Sequence, residues 1–235
     1  MTVRIRRVTT TRAGGASAPP YDTFNLGDHV GDDPAAVAAN RARLASSIGL
    51  PPDHVVWMNQ VHGDHVEVVD GPREGAFDDT DALVTATPGL ALAVVTADCV
   101  PVLMSDAQAG VVGAAHAGRV GAASGIALRT LEAMVAAGAR VENVTVLLGP
   151  AVSGPNYEVP EEMAADVEAR LPGSRTTSSR GTPALDLRAG LARQLVEAGV
   201  RAVDVDPRCT VEDEALFSHR RNAPTGRLAS LVWMQ

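Results

Sequence analysis

The sequence predicts a single α+β domain over residues 1–235, built as a layered sheet with helices outside. Short apolar runs typical of buried strands recur along the whole chain. Amphipathic segments with helix start and stop signals lie between some of these runs. The chain has 235 residues, of which 46% are hydrophobic, and this is enough for a large core. No internal repeat or strong linker divides it.

Strands are predicted wherever apolar residues run continuously or alternate with polar ones. The second predicted strand region breaks near Gly63, and the fourth is interrupted at Asp98–Cys99. In chain order the predicted strand regions are residues 1–12, 55–70, 82–85, 90–106, 110–118, 144–150, 202–206 and 227–234.

Helices are predicted from caps and apolar spacing. Asp32 or Asp33 caps a first helix that has Pro34 early and ends at Gly49. A second helix covers 119–139 and stops at Gly138. Its predicted buried face consists of Ala127, Leu131, Met134 and Val135. Further helices are expected at 160–171 and at 186–198, the last one capped by Asp186, with a polar loop at 172–183.

Composition limits the classes of function. The chain carries 28 acidic and 20 basic residues, a formal net charge of −8, which disfavours binding to a nucleic-acid backbone. Aromatic residues make up only 3%, so stacking platforms for single-stranded nucleic acid are not expected. A small anionic substrate remains open if one cleft gathers arginines. A small-molecule protein is therefore predicted. Composition does not decide the oligomeric state, for which a monomer is the favoured expectation.

Location follows from what the chain lacks. No apolar run reaches the length of a membrane span, and the first twelve residues contain no apolar signal core. A cytoplasmic protein without membrane contact is expected. In that reducing compartment Cys99 and Cys209, the 2 cysteines of the chain, should be free thiols.

Three stretches place metal-ligating residues where strands end. MNQVHG carries His62, TADCVP carries Cys99 and AAHAG carries His116. Strand ends are where α/β scaffolds build their sites. Two imidazoles and one thiolate suit Zn²⁺ and leave a fourth position open, which is the arrangement of a catalytic site. The three residues are therefore candidates both as metal ligands and as catalytic residues.

The residues alone leave alternatives open. Cys99 is also explained as a small buried apolar residue, and His116 as a satisfied histidine at a strand end. A Cys–His nucleophile pair without metal fits as well, with His62 or His116 as the base. Asp98 is a candidate general base or a residue that orients a ligand histidine, although it also suits a turn.

Nine stretches occur in the order of one bacterial family: TTRAGG, FNLGDHVGDDPAAVAANR, MNQVHG, TADCVPVL, AAHAG, LLGPAV, YEV, FSHRR and GRLASLVW. The chain resembles the laccase-domain proteins. These were formerly called multicopper polyphenol oxidases and are now described as purine nucleoside phosphorylases, with peptidoglycan editing factors among their relatives. The resemblance spans residues 10–233. It implies a layered α/β/β/α fold and a metal bound by His62, Cys99 and His116.

The resemblance also implies chemistry. It implies phosphorolysis of adenosine, inosine, guanosine or methylthioadenosine. The ligand types themselves predict Zn²⁺ as the metal, with Cu²⁺ as a substitute because of its higher intrinsic affinity for such a site. Adenosine deamination is implied as a second activity. Arg12, Asn25 and Gln60 lie in matching motifs and are expected to line the substrate pocket. The family continues AHAG with Trp-Arg-Gly, so Arg119 is expected to supply the displaced arginine's contact with phosphate or substrate.

Other activities compete with this one. A Cys–His hydrolase would use Cys99 as nucleophile on amide or peptidoglycan-precursor substrates. A non-enzymatic metal-binding protein would use the triad for storage or sensing. A laccase reaction is disfavoured because the chain has no His-x-His pair for a copper cluster. His29, in the GDHVGDD stretch, is expected near the site but not as a ligand.

Overall fold

The computed structural model describes residues 3–235. In that range the helices are α1 (Pro34–Ile48), α2 (Arg119–Ala123), α3 (Ile126–Ala136), α4 (Glu161–Arg170) and α5 (Leu187–Glu197). The strands there are β1 (Ile5–Thr9), β2 (Val55–Met58), β3 (Val66–Val68), β4 (Ala76–Phe77), β5 (Ala82–Thr85), β6 (Ala91–Thr96), β7 (Val100–Asp106), β8 (Val111–Ala117), β9 (Thr145–Leu148), β10 (Arg175–Thr177), β11 (Pro183–Leu185), β12 (Ala202–Val205) and β13 (Leu228–Met234). No helix of this range is both long and apolar enough to cross a membrane.

Two mixed sheets contain most of the strands. One has five strands in the order β1-β13-β6-β2-β4, and the other has six in the order β12-β9-β7-β8-β5-β3. In the first sheet β13 runs antiparallel to β6 while β2 runs parallel to it. In the second, β7 is antiparallel to β8 and β12 is parallel to β9. A hairpin of β10 and β11 stands apart.

Alternation along β6 shows how the layers stack. Ala93 belongs to an apolar cluster with Leu44 of α1. Its neighbour Leu92 belongs to a different cluster, with Leu103 of β7. Successive strand residues point to opposite faces, so one face of the five-stranded sheet packs on α1 and the other on the six-stranded sheet.

The outer face of the six-stranded sheet is covered by helices. Met104 of β7, Leu131 of α3 and Leu191 of α5 lie in one buried cluster. The layers therefore run helix, sheet, sheet, helix. This confirms the expected α+β class and its α/β/β/α layering.

The predicted caps are confirmed. The Asp33 carboxylate accepts a hydrogen bond from the Ala35 amide at 3.0 Å, and Pro34 opens α1. Gly49 ends that helix in the left-handed region, with φ 74°. Asp186 caps α5 by accepting from the Ala189 amide at 3.1 Å.

Three expectations about local structure are wrong. Residues 119–139 form two helices, because Gly125 adopts a φ of 89° that separates α2 from α3. Val135 is 42% exposed and does not share the buried face of α3. The segment 172–183 is not only a loop, since it contains β10 and the start of β11, which pair as a hairpin.

Two chain crossings between the sheets are important for the site. β6 belongs to the five-stranded sheet and β7 to the six-stranded one, so residues 97–99 pass from one sheet to the other. The segment 59–65 makes the same passage between β2 and β3. Both crossings carry a residue of the sequence-predicted triad.

Candidate metal centre

The two crossings and one strand end bring the triad together. His62 lies in the crossing after β2, and Cys99 lies in the crossing before β7. His116 lies near the end of β8 and pairs in register with Pro101 of β7. Pro101 follows Cys99 by two residues, so the antiparallel pairing of β7 with β8 brings His116 close to Cys99.

The three side chains converge. One ligand atom from each of His62, Cys99 and His116 lies within 4.8 Å of the others. Cys99 Sγ is 3.8 Å from His62 Nε2, and the two imidazole rings meet edge to face with centroids 4.7 Å apart. Ligand atoms on one tetrahedral zinc ion stand roughly 3.3–3.8 Å apart, given metal–ligand distances of about 2.0–2.3 Å. The donor set fits one such ion, and the distance between Cys99 Sγ and His62 Nε2 lies at the upper end of this range.

Asp81 is the residue that fixes His116. His116 Nδ1 lies 2.8 Å from Asp81 Oδ1, and both side chains are buried. A carboxylate only accepts here, so Nδ1 carries the hydrogen and Nε2 faces the site. The His116 amide also donates to the Asp81 carbonyl at 2.8 Å.

The same carboxylate holds the loop of the second histidine. The backbone amides of Val61, His62 and Gly63 donate to Asp81 at 3.1, 3.0 and 2.7 Å. His62 itself has a φ of 62°, a left-handed conformation that a non-glycine residue adopts at some cost in free energy. Asp81 therefore stabilises both candidate histidine ligands, the strained His62 and the buried His116.

Electrostatics favour a charged pair at the site. Burial opposes ionisation of Cys99, but the charge and hydrogen bonds of His116 and His62 outweigh it and lower the pKa of the thiol to about 6. Burial likewise opposes protonation of His116, but Cys99 and Asp81 raise its pKa to about 9. The metal-free site at neutral pH is therefore a thiolate beside an imidazolium, and the thiolate is the form that binds metals.

Gly118 lets the triad close. A Cβ at this position would lie 2.6 Å from His62 Cδ2 and 3.2 Å from Cys99 Sγ. The backbone there has a φ of −72°, which any residue adopts. The glycine is required for space and not for conformation.

The triad opens into a cavity of about 390 Å³. Three arginines, Arg119, Arg220 and Arg227, line it together with Tyr157. A chain with a net charge of −8 thus gathers positive charge at this one wall. The cavity therefore has the local group of arginines that the sequence analysis required for a small anionic substrate.

Several predicted residues lie at the cavity. Arg119 and Gln60 line it, and so does His29, which the sequence places near the site. The Gln60 side-chain amide bonds both the amide and the carbonyl of Val95, each at 2.8 Å. Gln60 therefore anchors β6 to the crossing that carries His62, and its polar atoms already have partners.

Two residues expected to line the pocket do not. Arg12 donates to the Asp22 carbonyl at 3.0 Å and to its carboxylate at 3.1 Å, and packs its guanidinium over Phe217. Asn25 is fully buried and accepts a hydrogen bond from the Arg227 amide at 2.8 Å. Their matching motifs build the framework behind the cavity, with Asn25 supporting a residue that does line it.

Asp98 does not orient a ligand histidine, because Asp81 holds that position. The Asp98 carboxylate instead accepts from Thr210 Oγ1 at 2.6 Å, Ser218 Oγ at 2.7 Å and the Arg220 amide at 2.6 Å. It ties the crossing at 97–99 to the segment 209–221, which carries Arg220. With these donors on both oxygens, the carboxylate is an anchor and poorly placed to act as a general base.

Sequence reasoning misses Asp81, Tyr157, Arg220 and Arg227. Asp81 offers one signal, a carboxylate directly before a buried strand. The other three lie in the YEV, FSHRR and GRLASLVW stretches, where a motif alone gives no direction to a side chain. Within residues 3–235 both cysteines are free, as expected, and the metal-type cluster contains no histidine besides His62 and His116.

Comparison with known proteins shows the family and agrees with the fold. Residues 6–235 match the family described as multi-copper polyphenol oxidoreductase laccase. The chain is 72% identical, over all of its length and 94% of the relative, to a protein of Mycobacterium tuberculosis named purine nucleoside phosphorylase. A protein of Corynebacterium glutamicum with the same name is 59% identical over 98% of this chain and 94% of the relative.

Solved structures show the same architecture. The hypothetical protein YfiH of Bacillus licheniformis superposes with a TM-score of 0.92 at 32% identity, covering 98% of this chain and 93% of the other. YlmD of Geobacillus stearothermophilus gives a TM-score of 0.92 at 35% identity, with coverages of 98% and 92%. The layered fold is therefore shared with both.

Proposed function

We infer a function from the family to which this chain belongs, the multi-copper polyphenol oxidoreductase laccases, and propose a zinc-dependent purine nucleoside phosphorylase. The names of its relatives support an enzyme that cleaves nucleosides with phosphate. The observation that carries the proposal is the convergence of His62, Cys99 and His116 at the wall of a cavity lined by arginines.

The proposed reaction exchanges the glycosidic bond of the nucleoside for a bond to phosphate. An oxygen of inorganic phosphate forms a bond to C1′ of the ribose, and the bond from C1′ to the purine nitrogen breaks. The electron pair of that bond stays on the base, which takes up a proton. The proposed substrates are adenosine, inosine, guanosine and methylthioadenosine. The products are a free purine and ribose 1-phosphate, or 5-methylthioribose 1-phosphate when the substrate is methylthioadenosine.

The residues have separate tasks in this proposal. His62, Cys99 and His116 would hold the metal, and bound Zn²⁺ supplies Lewis-acid polarisation of an oxygen ligand. Asp81 keeps the proton on His116 Nδ1 and so keeps Nε2 available. The arginines of the cavity attract the phosphate anion. Cu²⁺ is a substitute at a two-histidine, one-cysteine site because such ligands bind it more tightly than Zn²⁺.

Adenosine deamination is the second proposed activity. Water would add to C6 of the purine, and ammonia would leave as inosine forms. The cavity volume of about 390 Å³ falls in the range of pockets that hold small molecules of nucleoside size.

One assay tests both activities. Zinc-loaded protein is incubated with adenosine, with and without phosphate, and the purines are separated by chromatography. Adenine is expected only with phosphate. Inosine is expected without phosphate, and with phosphate it is partly cleaved to hypoxanthine. The Cys99→Ala variant is the matched control. If none of adenine, inosine and hypoxanthine rises above that control, the proposed function is wrong.

A Cys–His hydrolase is the second candidate, because the low pKa of Cys99 is that of an activated thiol nucleophile. Its substrates would be amides or peptidoglycan precursors. A chelator separates the two mechanisms, since it abolishes a zinc reaction and spares or enhances a thiolate one. Alkylation of Cys99 blocks both and does not discriminate.

A non-enzymatic metal-binding protein is the third candidate. It predicts stoichiometric metal and no turnover of any nucleoside in the assay above. For each candidate we propose a cytoplasmic monomer without nucleic-acid or membrane partners. Gel filtration tests the oligomeric state, and cell fractionation tests the location.

A further inference from the structure

The three cavity arginines form no ion pair within residues 3–235, but the Arg227 guanidinium donates to the carbonyls of Thr225 and Gly226. Among the side chains of residues 3–235, Arg119 and Arg220 form no ion pair, whereas arginines elsewhere do, such as Arg41 with Asp28 and Arg208 with Asp206. Both line the cavity beside the triad. The one carboxylate at that wall, Asp98, already accepts from three donors. The two guanidiniums are therefore available to a ligand.

Tyr157 holds the two guanidiniums on one wall. The Arg220 guanidinium carbon lies over the Tyr157 ring, 5.1 Å from its centroid. Arg119 lies close enough to the Tyr157 hydroxyl for its positive charge to oppose the rise in the pKa of that phenol that burial causes. A cation over an aromatic face loses mobility because of the attraction to the ring. The Tyr157 side chain thus contacts one of the two guanidiniums and lies near the other, although the two arginines come from distant parts of the chain.

The backbone on either side is also fixed. Arg119 starts α2, three residues after the ligand His116. The Arg220 amide donates to the Asp98 carboxylate at 2.6 Å, one residue before the ligand Cys99. Both arginines are therefore anchored directly beside the metal ligands, and an anion between them lies next to the candidate metal centre.

We propose that Arg119 and Arg220 form the subsite for inorganic phosphate, with Tyr157 as the positioning residue that keeps them together. The planar fork of each guanidinium matches a tetrahedral oxyanion, and hydrogen bonds between two ions are the strong ones. A nucleoside is neutral and offers no charge to match. This assignment rests on the proposed phosphorolysis and adds to it the residues that take the second substrate.

Two measurements test the subsite independently. Inorganic phosphate alone is titrated into the zinc-loaded protein by calorimetry, and the KM values for phosphate and for inosine are measured by steady-state phosphorolysis. The variants are Arg119→Ala, Arg220→Ala and Arg220→Lys. Arg170→Ala is the control, because Arg170 is an exposed arginine on α4 paired with Asp166.

Arg119→Ala and Arg220→Ala are each expected to weaken phosphate binding and to raise the KM for phosphate by about tenfold or more, the order expected for loss of a charged hydrogen bond. The KM for inosine is expected to change by less than about twofold. Such a change corresponds to less free energy than the loss of one interaction with the nucleoside. Arg220→Lys keeps the charge and recovers part of the loss. Arg170→Ala behaves as the unaltered protein.

Tyrosine variants separate positioning from folding. Tyr157→Leu is expected to raise the KM for phosphate severalfold, because Arg220 loses its ring. Tyr157→Phe keeps the ring and removes only the hydroxyl beside Arg119, so its KM for phosphate should lie between those of the unaltered protein and Tyr157→Leu. If neither variant raises the KM for phosphate above that of the unaltered protein, the positioning role is wrong.

The subsite and the proposed function fail in different ways. If no nucleoside is cleaved but phosphate binds and both arginine variants lose it, the function is wrong and the subsite stands. If inosine is cleaved while only its own KM rises in the arginine variants, the guanidiniums recognise the nucleoside and the subsite is wrong. Absence of phosphate binding by the unaltered protein also overturns the subsite.

Discussion

The buried carboxylate of Asp81 accepts a hydrogen bond from His116 Nδ1 at 2.8 Å and also binds the backbone of the loop that carries His62. One residue therefore sets the orientation of two of the three candidate metal ligands. Its position is itself fixed by the sheet, because Ala82, the next residue, pairs in register with Ala115 on β8.

Asp81→Asn is expected to lower zinc affinity by about ten- to a hundredfold, the usual effect of removing the partner of a ligand histidine. The asparagine side chain keeps one accepting oxygen, but its NH₂ group replaces the other carboxylate oxygen. This donor would face the groups that donate to Asp81. Competition with a chromophoric chelator measures the affinity. Asp64→Asn is the control, since Asp64 is partly exposed and pairs with Arg129. Equal affinities for the two variants contradict the role of Asp81.

Gly118→Ala is expected to reduce zinc affinity by about tenfold or more, since the added methyl displaces the His62 ring and misplaces a ligand. The φ of −72° accommodates alanine, so the metal-free protein should unfold at nearly its original temperature. Metal analysis and thermal unfolding give the two readouts. Gly71→Ala is the control, because nothing lies within 4 Å of a Cβ there. If Gly118→Ala binds as much zinc as Gly71→Ala, the predicted displacement of the His62 ring by the added methyl is wrong.

Alkylation of Cys99 in the chelator-treated protein is expected to rise with pH around a midpoint of about 6. The pKa is lowered, so the reactive thiolate is present above that pH and is lost below it. His116→Ala removes the positive charge and leaves the cost of burial, so the midpoint should move upward. Iodoacetamide labelling followed by mass spectrometry measures the rate at this site.

Cys99→Ala gives the labelling blank for the experiment, because Cys209 is then the remaining thiol. A midpoint near that of an ordinary thiol, about 8.5, is the result that contradicts the thiolate–imidazolium pair.

Asp98→Asn is expected to loosen the segment 209–221 and to leave the triad assembled. The amide cannot accept on both sides, so the Arg220 N–H loses a hydrogen bond to a charged acceptor. Its exchange with deuterium should accelerate by about tenfold, in line with the free energy of such a bond. Exchange at Arg220 that matches the unaltered protein would show that Asp98 does not anchor the segment.

Much of the fold could be predicted from local chemistry. The caps Asp33 and Asp186 and the stop at Gly49 follow from hydrogen bonding and backbone freedom within a few residues. The strand break at Asp98–Cys99 is also visible in the sequence. Its meaning is not, because nothing local shows that the chain changes sheets there.

The site is predictable where a residue type is itself distinctive. Histidine and cysteine at strand ends point to metal chemistry, so His62, Cys99 and His116 could be chosen. Arginine and asparagine are common in frameworks as well as pockets, so their residue type does not show that Arg12 and Asn25 lie outside the lining of the cavity. Tyr157 and Arg220 act through a contact between distant segments, and only the folded chain brings them together.

The crossings between the sheets have a mechanical consequence. Between the sheets the contacts are largely apolar and therefore non-directional, apart from the hydrogen bonds that Arg7 of β1 donates to Ser105 and Thr145 of the six-stranded sheet. His62 leaves the five-stranded sheet while His116 belongs to the six-stranded one, so an ion held by both is a cross-link between the layers. Loss of the ion would then lower the resistance of the sandwich to shear, and the sheets would separate first at the end that carries the site.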